Sequence, residues 1–313
     1  MARPLRIQFK GALYHVINRG NYRRDVFETA DKAAAFERCL FATCARMKWR
    51  LFAYVLMRNH FHLAVETPEP NLVEGMHWLQ GTFATRFNRF RQERGHLFQG
   101  RYQALVVEPG ATLGRVVDYI HLNPVRAAIV PAEQVGDFPW SSLRRFLGGE
   151  RPGCLQADTW LETAGLGDTT AEWKEYVRRL VELAWAKERQ AELGFPEMSR
   201  GWAIGTHGWR QTLARDHAQR ALAPGLAAQE LVELKQACCE QALETLLRST
   251  GKTLADAGKE RKGVAWKVNI AKILRATTPA TNRWIAEKLR MGTPSSVSQY
   301  LSAIRATNIL LEP

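Results

Sequence analysis

The chain has 313 residues, 46% of them apolar, enough for two domains with real cores. Its formal charge of +13 points to a polyanionic partner. Several classes are set aside at once. No run of about 18 uncharged apolar residues occurs, so no membrane span is expected. The basic start MARPLRIQFKG lacks the apolar core of a signal peptide. Cys39, Cys44, Cys154, Cys238 and Cys239 are odd in number and without CxxC spacing, which argues against a disulfide framework or a zinc knuckle and for a cytoplasmic protein.

Charge is uneven along the chain. Residues 1–150 hold 21 Lys/Arg against 13 Asp/Glu, residues 151–244 hold 11 against 14, and residues 245–313 hold 12 against 4. Three regions are therefore expected: 1–150, a helical middle at 151–244, and 245–313, with two basic lobes about a slightly acidic middle.

Residues 12–18 read as a strand ending at the Arg19-Gly20-Asn21 turn. Residues 31–48 read as a helix with Ala34, Cys39, Leu40 and Met47 facing inward. Residues 50–66 are rich in β-branched and aromatic side chains and predict two strands joined near Arg58-Asn59. Over 71–93, Leu72, Met76, Leu79, Phe83, Phe87 and Phe90 make one apolar helical stripe opposite Arg86, Arg89 and Arg91. Residues 101–108 return as a strand. Residues 112–122 form a helix expected to stop at Asn123-Pro124, because proline disfavours helix in the residue before it. The order βαββαβα predicts an α+β, ferredoxin-like antiparallel sheet with helices on one face. The Gly-, Thr- and Pro-rich stretch 148–170 predicts a boundary, and beyond it the chain reads as almost wholly helical, beginning with a helix over 171–193.

Within the hairpin, Asn59-His60-Phe61-His62 carries two histidines two apart, so on a strand they share one face while Phe61 turns to the other. Such a pair either holds a metal ion or lies on a wet sheet face. Tyr119 is either a boundary residue of its helix or a nucleophile. Asn123, four positions on, shares its helical face, and is either a local cap or, if this helix packs over the HxH strand, a third metal ligand. His121 projects elsewhere and reads as structural. Two imidazoles and an amide oxygen with open positions suit Mg²⁺ or Mn²⁺ on a phosphate, and a tyrosine beside them supplies an oxygen nucleophile.

Four motifs extend this site: Tyr14-His15-Val16 with Arg19-Gly20-Asn21, Met57-Arg58-Asn59-His60-Phe61-His62, Leu97-Phe98-Gln99-Gly100-Arg101-Tyr102, and Tyr119-Ile120-His121-Leu122-Asn123-Pro124-Val125-Arg126. Over roughly residues 4–147 their order and spacing resemble those of the single-tyrosine HUH transposases and, more closely, the REP-associated tyrosine transposases. The resemblance implies Tyr119 as nucleophile, His60 and His62 as metal ligands, Asn123 as the third ligand, and single-stranded, hairpin-forming palindromic repeats of a bacterial chromosome as target. It implies strand cleavage and transfer through a 5′-phosphotyrosine. Arg58 departs from the proline that many relatives carry, and simple members lack the C-terminal extension. Arg19, Asn21, Arg24, Arg101 and Arg126 are the expected DNA contacts of this lobe.

In the last lobe, residues 264–275, 281–290 and 294–306 read as helices, with Thr293 as N-cap, Pro294 at the first helical position and a Met291-Gly292 turn before them. Helix, short turn and helix predict a helix-turn-helix that takes duplex DNA. Ser295, Ser296, Ser298, Gln299 and Tyr300 would lead the recognition helix. Val297, Leu301 and Ile304 would pack inward, and Lys288, Arg290 and Arg305 would meet phosphates. Two other readings stand beside strand transfer: a DNA-binding regulator of repeat elements that does not cut, and a metal phosphodiesterase using water, which needs more carboxylates than this sequence places near the HxH. The sequence leaves monomer or homodimer open.

Overall fold

The computed structural model describes residues 7–217 and 232–309. Contacts divide the chain into two units, one spanning Arg6–Thr206 and the other running from His207 onward. The expected boundary at residue 150 falls inside the first unit.

That unit is built on a sheet of β1 (Ala12–Arg19), β2 (Arg50–Met57), β3 (His60–Thr67), β4 (Gln103–Val107) and β5 (Ala203–Ile204), in the order β2-β3-β1-β4-β5. Each paired neighbour among the first four strands is antiparallel, as in the expected ferredoxin-like sheet, and β5 pairs parallel to β4. β5, two residues long, is a brief strand in a stretch read as almost wholly helical.

Strand alternation sorts the two faces. Phe61 points toward α1 (Ala30–Met47) and α2 (Leu72–Arg91), where its ring meets Phe36 at 4.8 Å and Phe98 at 5.8 Å, with Phe27 and Phe83 closing the cluster. Gly75 of α2 lets Trp49 lie against the helix backbone; a Cβ there would stand 2.2 Å from the indole ring. The apolar stripe of α2 holds from Leu72 to Phe87 but fails at Phe90, which is 80% exposed. Phe90 sits in the last turn, its ring largely in solvent.

The opposite face is covered too, contrary to the one-sided arrangement expected. There α3 (Ala111–Arg126) packs on β2 and β3. It runs through Pro124 rather than stopping before it. The missing N–H forfeits one bond to the Ile120 carbonyl, while Ala127 and Ile129 still donate to the Asn123 and Pro124 carbonyls. Burial of Ile120, Leu122, Asn123 and Pro124 outweighs the local preference. Around α3 lie α4 (Ser142–Gly148), α5 (Asp158–Thr163) and α6 (Thr170–Trp185). His121 is fully buried among them, with hydrogen bonds to Tyr176 of α6 (2.9 Å) and Ser142 of α4 (2.8 Å), as its structural reading expects. The helix expected over 171–193 breaks at Ala186 into α6 and α7 (Lys187–Glu192), and the Gln190 amide donates to the Leu183 and Ala184 carbonyls freed by the break.

The second unit is helical: α8 (His207–Asp216), α9 (Val232–Thr250), α10 (Leu254–Lys259), α11 (Ala265–Thr277), α12 (Asn282–Lys288) and α13 (Pro294–Ile309). Leu243, Leu247, Ile270, Leu274, Ile285, Leu289, Met291 and Val297 form its core. α12 and α13 are linked through a turn with Gly292 at φ 93°, and Thr293 accepts from the Ser296 N–H as the expected cap. Ser295, Ser298 and Gln299 are exposed. Tyr300 does not lead an open face as expected; it packs over Gly263 against the core. Lys288 pairs with Glu240 at 3.2 Å, and Arg290 is exposed in the turn with φ 53°. The side chains of Ile304 and Arg305 lie outside the described residues. Among the described residues no helix is long and apolar enough to cross a membrane.

Candidate active site

The β1–β3 register sets Ile17 opposite His62 and Arg19 opposite His60, so these residues and His15 share the face toward α3. The rings of His60 and His62 lie 5.2 Å apart. Tyr119 comes down from α3, 6% exposed, with its ring edge-on to His62 and to His15, each at 5.7 Å.

A chain of hydrogen bonds fixes the histidine tautomers. The Met198 carbonyl can only accept, so His15 donates to it from Nδ1 (2.8 Å). Neutral His15 then accepts at Nε2 from the His62 Nδ1–H at 2.9 Å. His62 is left with its lone pair on Nε2. His60 reaches the same state by donating from Nδ1 to the Asn59 side-chain oxygen (2.8 Å). Burial favours the neutral rings: it pushes His15 down to about 4 and His60 and His62 below the ordinary histidine range, with the charges of Arg19 and Arg126 acting in the same direction on His60 and His62 respectively. Asn123, buried, donates its amide N–H back to the Tyr119 carbonyl at 2.9 Å, which leaves its side-chain oxygen as the remaining donor atom. Two Nε2 lone pairs and one amide oxygen therefore fit a divalent cation. Among the described residues no group of three or more His, Cys, Asp or Glu is placed to hold one.

These groups open on one cleft of about 750 Å³, lined by Asn18, Arg19, Arg23, Asn59, His60, His62, Gln99, Arg101, Gln103, Tyr119, Asn123 and Ser199. Among the described residues three arginines and no carboxylate line it, a field suited to phosphate. The Arg126 guanidinium stacks over the Tyr119 ring at 4.5 Å. Of the other expected contacts, Arg24 turns away to pair with Glu93 (2.5 Å), and Asn21 lies in the adjoining turn, its N–H on the Leu97 carbonyl. Ser295, Ser296, Gln299, Lys288 and Arg290 belong to the second unit.

Residues 8–123 match the family described as "Transposase IS200 like". The chain is 28% identical over 119 residues, 34% of its own length, to a Haemophilus influenzae protein named as a REP-associated tyrosine transposase, and spans 66% of that relative. The chain resembles the REP-associated tyrosine transposases. Two solved structures share smaller likenesses. One, a REP-associated tyrosine transposase bound to a REP hairpin, is 20% identical with a TM-score of 0.40 over 51% of this chain and 93% of its own. The other, a transposase-named protein of Deinococcus radiodurans, is 20% identical with a TM-score of 0.28 over 41% and 91%.

The stretch matched to the IS200-like transposases ends at Asn123, yet the Tyr119 environment does not. Phe195 meets the Tyr119 ring at 5.5 Å, Met198 holds His15, and the Ser199 and Tyr119 hydroxyls share a 2.8 Å hydrogen bond. His15, Asn18, Arg23, Asn59, Gln99, Gln103, Phe195, Met198 and Ser199 are site residues with no role expected from sequence. His15 carried one signal, its place in the Tyr14-His15-Val16 motif; the residues at 195–199 carried none.

Proposed function

We propose that this chain cleaves and rejoins single-stranded DNA at hairpin-forming repeats, with Tyr119 as nucleophile. The observation that carries the reading is the meeting of Tyr119, His60, His62 and Asn123 in one arginine-lined cleft free of carboxylates. His60, His62 and Asn123 would hold Mg²⁺ or Mn²⁺, which when bound neutralises charge on a non-bridging phosphate oxygen. The Tyr119 hydroxyl gives up its proton as its oxygen attacks phosphorus, the bond from phosphorus to the 3′ oxygen breaks, and that oxygen takes up one proton to leave as a free 3′-OH. Because the 5′-phosphotyrosine is itself an ester, a second 3′-OH can displace the tyrosine without outside energy. Arg19, Arg23 and Arg101 bind phosphates, and Arg126 fixes the phenol ring. A donor set of two imidazoles and an amide suits Mn²⁺ better than Mg²⁺, which prefers all-oxygen shells.

The test is a denaturant-resistant protein–DNA adduct on single-stranded hairpin DNA with Mn²⁺. Adduct is expected with the wild type, none after chelation, and a fall of roughly a thousandfold or more for Tyr119→Phe. Equal cleavage by Tyr119→Phe sinks the assignment. Among the described residues no carboxylate lines the cleft, which disfavours a water-using phosphodiesterase. In the second unit, Ser295, Gln299 and Arg290 on and before α13 form an open polar face fit for duplex DNA, a separate grip that would serve equally a regulator that does not cut.

A further inference from the structure

The turn between β1 and α1 carries Tyr22, whose side chain is 92% exposed. A single exposed aromatic is ordinary on a protein surface. This one differs in how its backbone is held. Tyr22 (φ 50°, ψ 31°) and Arg23 (φ 58°) are consecutive non-glycine residues in the left-handed region, which L-residues disfavour because Cβ crowds the backbone. Nothing buried compensates at Tyr22 itself, because its ring lies in water.

The turn is nonetheless tied down on every side. Gly20 donates to the Asn59 carbonyl (2.7 Å), Asn21 to that of Leu97 (2.8 Å), and Arg23 and Arg24 close back onto Gly20 and Asn21. Gly20 admits no side chain: a Cβ would stand 2.3 Å from the Arg24 carbonyl oxygen. The Asn59 side chain donates to the Arg23 carbonyl at 3.3 Å, and its oxygen accepts from His60. One residue thus joins the turn to a candidate metal ligand. Arg19 and Arg23, before and after Tyr22, line the cleft.

A strained turn that holds a flat ring in solvent, with Arg19 before it and Arg23 after it lining the arginine-rich cleft, suits one kind of ligand. It must be an extended polyanion with planar apolar faces. We propose that Tyr22 is a stacking platform for an unpaired nucleobase of single-stranded DNA, next to the phosphate that enters the cleft. The proposal rests on single-stranded DNA being the substrate, and it names a contact which that reading does not require. Strain at Tyr22 and Arg23 has then a purpose: the ring is presented before the strand arrives, so little ordering remains at binding.

The experiment measures binding without cleavage. The full chain carrying Tyr119→Phe binds a labelled hairpin with short unpaired thymidine flanks, in EDTA, read by fluorescence anisotropy. Adding Tyr22→Ala is expected to weaken binding roughly 5- to 150-fold, the equivalent of one stacked base. Tyr22→Trp should bind at least as tightly as the parent. Trp185→Ala, which removes another exposed aromatic (71%) from the end of α6, should change nothing. Abasic flanks should erase the difference between Tyr22→Ala and its parent.

Three results overturn the proposal. They are Tyr22→Ala matching a parent that binds, a loss that persists unchanged on abasic flanks, and blunt duplex showing the same dependence on Tyr22. In each case the strand-transfer reading survives. If the parent fails to bind any single-stranded hairpin, that reading falls and the platform falls with it.

Discussion

Asp118 stands one position before Tyr119 and turns to the other side of α3, where it accepts from the Tyr176 hydroxyl at 2.9 Å. Burial pushes its carboxyl up to about 6, more than the Tyr176 hydrogen bond and Arg179 pull it down. Between about pH 4 and pH 6 the folded chain therefore holds this proton more tightly than the unfolded chain, and Asp118 subtracts stability as pH rises through that window. His121 works the other way: burial lowers it to about 3, so it removes stability as pH falls below the ordinary histidine range. Asp118→Asn keeps an acceptor for Tyr176 and removes only the first effect. Its stability relative to wild type is expected to rise by up to ~3 kcal/mol between pH 4 and pH 7.5. Urea unfolding at both values checks this; a difference that does not vary with pH contradicts it.

The same scale shows what the sequence revealed and what it hid. His60 and His62 share a face because strands repeat every two residues, and Tyr119 and Asn123 share one because helices repeat near every four. Both relations are local, and both could be read directly. The contact of His15 with His62 is not local. It needs the β1–β3 register that places Ile17 opposite His62, and no residue in either strand announces that register. The outcome at Pro124 is similar: the local rule stops α3, and burial against the sheet carries it on to Arg126.

Among the elements, the stretch from Phe195 to Ser199 reaches furthest. Leaving α7, it sets a ring against Tyr119, a carbonyl on His15 and a hydroxyl on the Tyr119 oxygen. It thereby fixes both the proton arrangement of the histidines and the phenol's position. Ser199→Ala removes one hydrogen bond of about 1 kcal/mol. Adduct formation in a single turnover is expected to slow about fivefold while affinity for the hairpin holds, and Ser199→Thr should restore most of the rate. A loss of affinity with an unchanged rate would assign Ser199 to DNA binding instead. Sequence periodicity located α6 but not this stretch, which has no repeat of its own and gains meaning only from what lies beneath it.

At the level of the whole molecule, the two units each carry basic residues, and the polar face of α13 belongs to the one that lacks the cleft. The segments after residue 139 also do something for the sheet itself. Backbone at Trp140, Ser141, Cys154 and Leu155 bonds or pairs with the outer side of β2, and β5 with Trp202 covers the outer side of β4. Both borders of the sheet are thus closed by chain that follows the stretch matched to the transposase family. A chain ended after Gly148 keeps the motifs but uncovers the β4 border and part of the β2 border, each a template for another copy's backbone. Such a chain is expected to self-associate, with a mass above that of a monomer in light scattering, whereas one ended after Thr206 should stay dispersed. Equal dispersity of the two would show that the borders need no cover. If the shorter chain self-associates, the extension acts partly as a shield against aggregation, a duty unrelated to DNA that holds this sheet to its own strands.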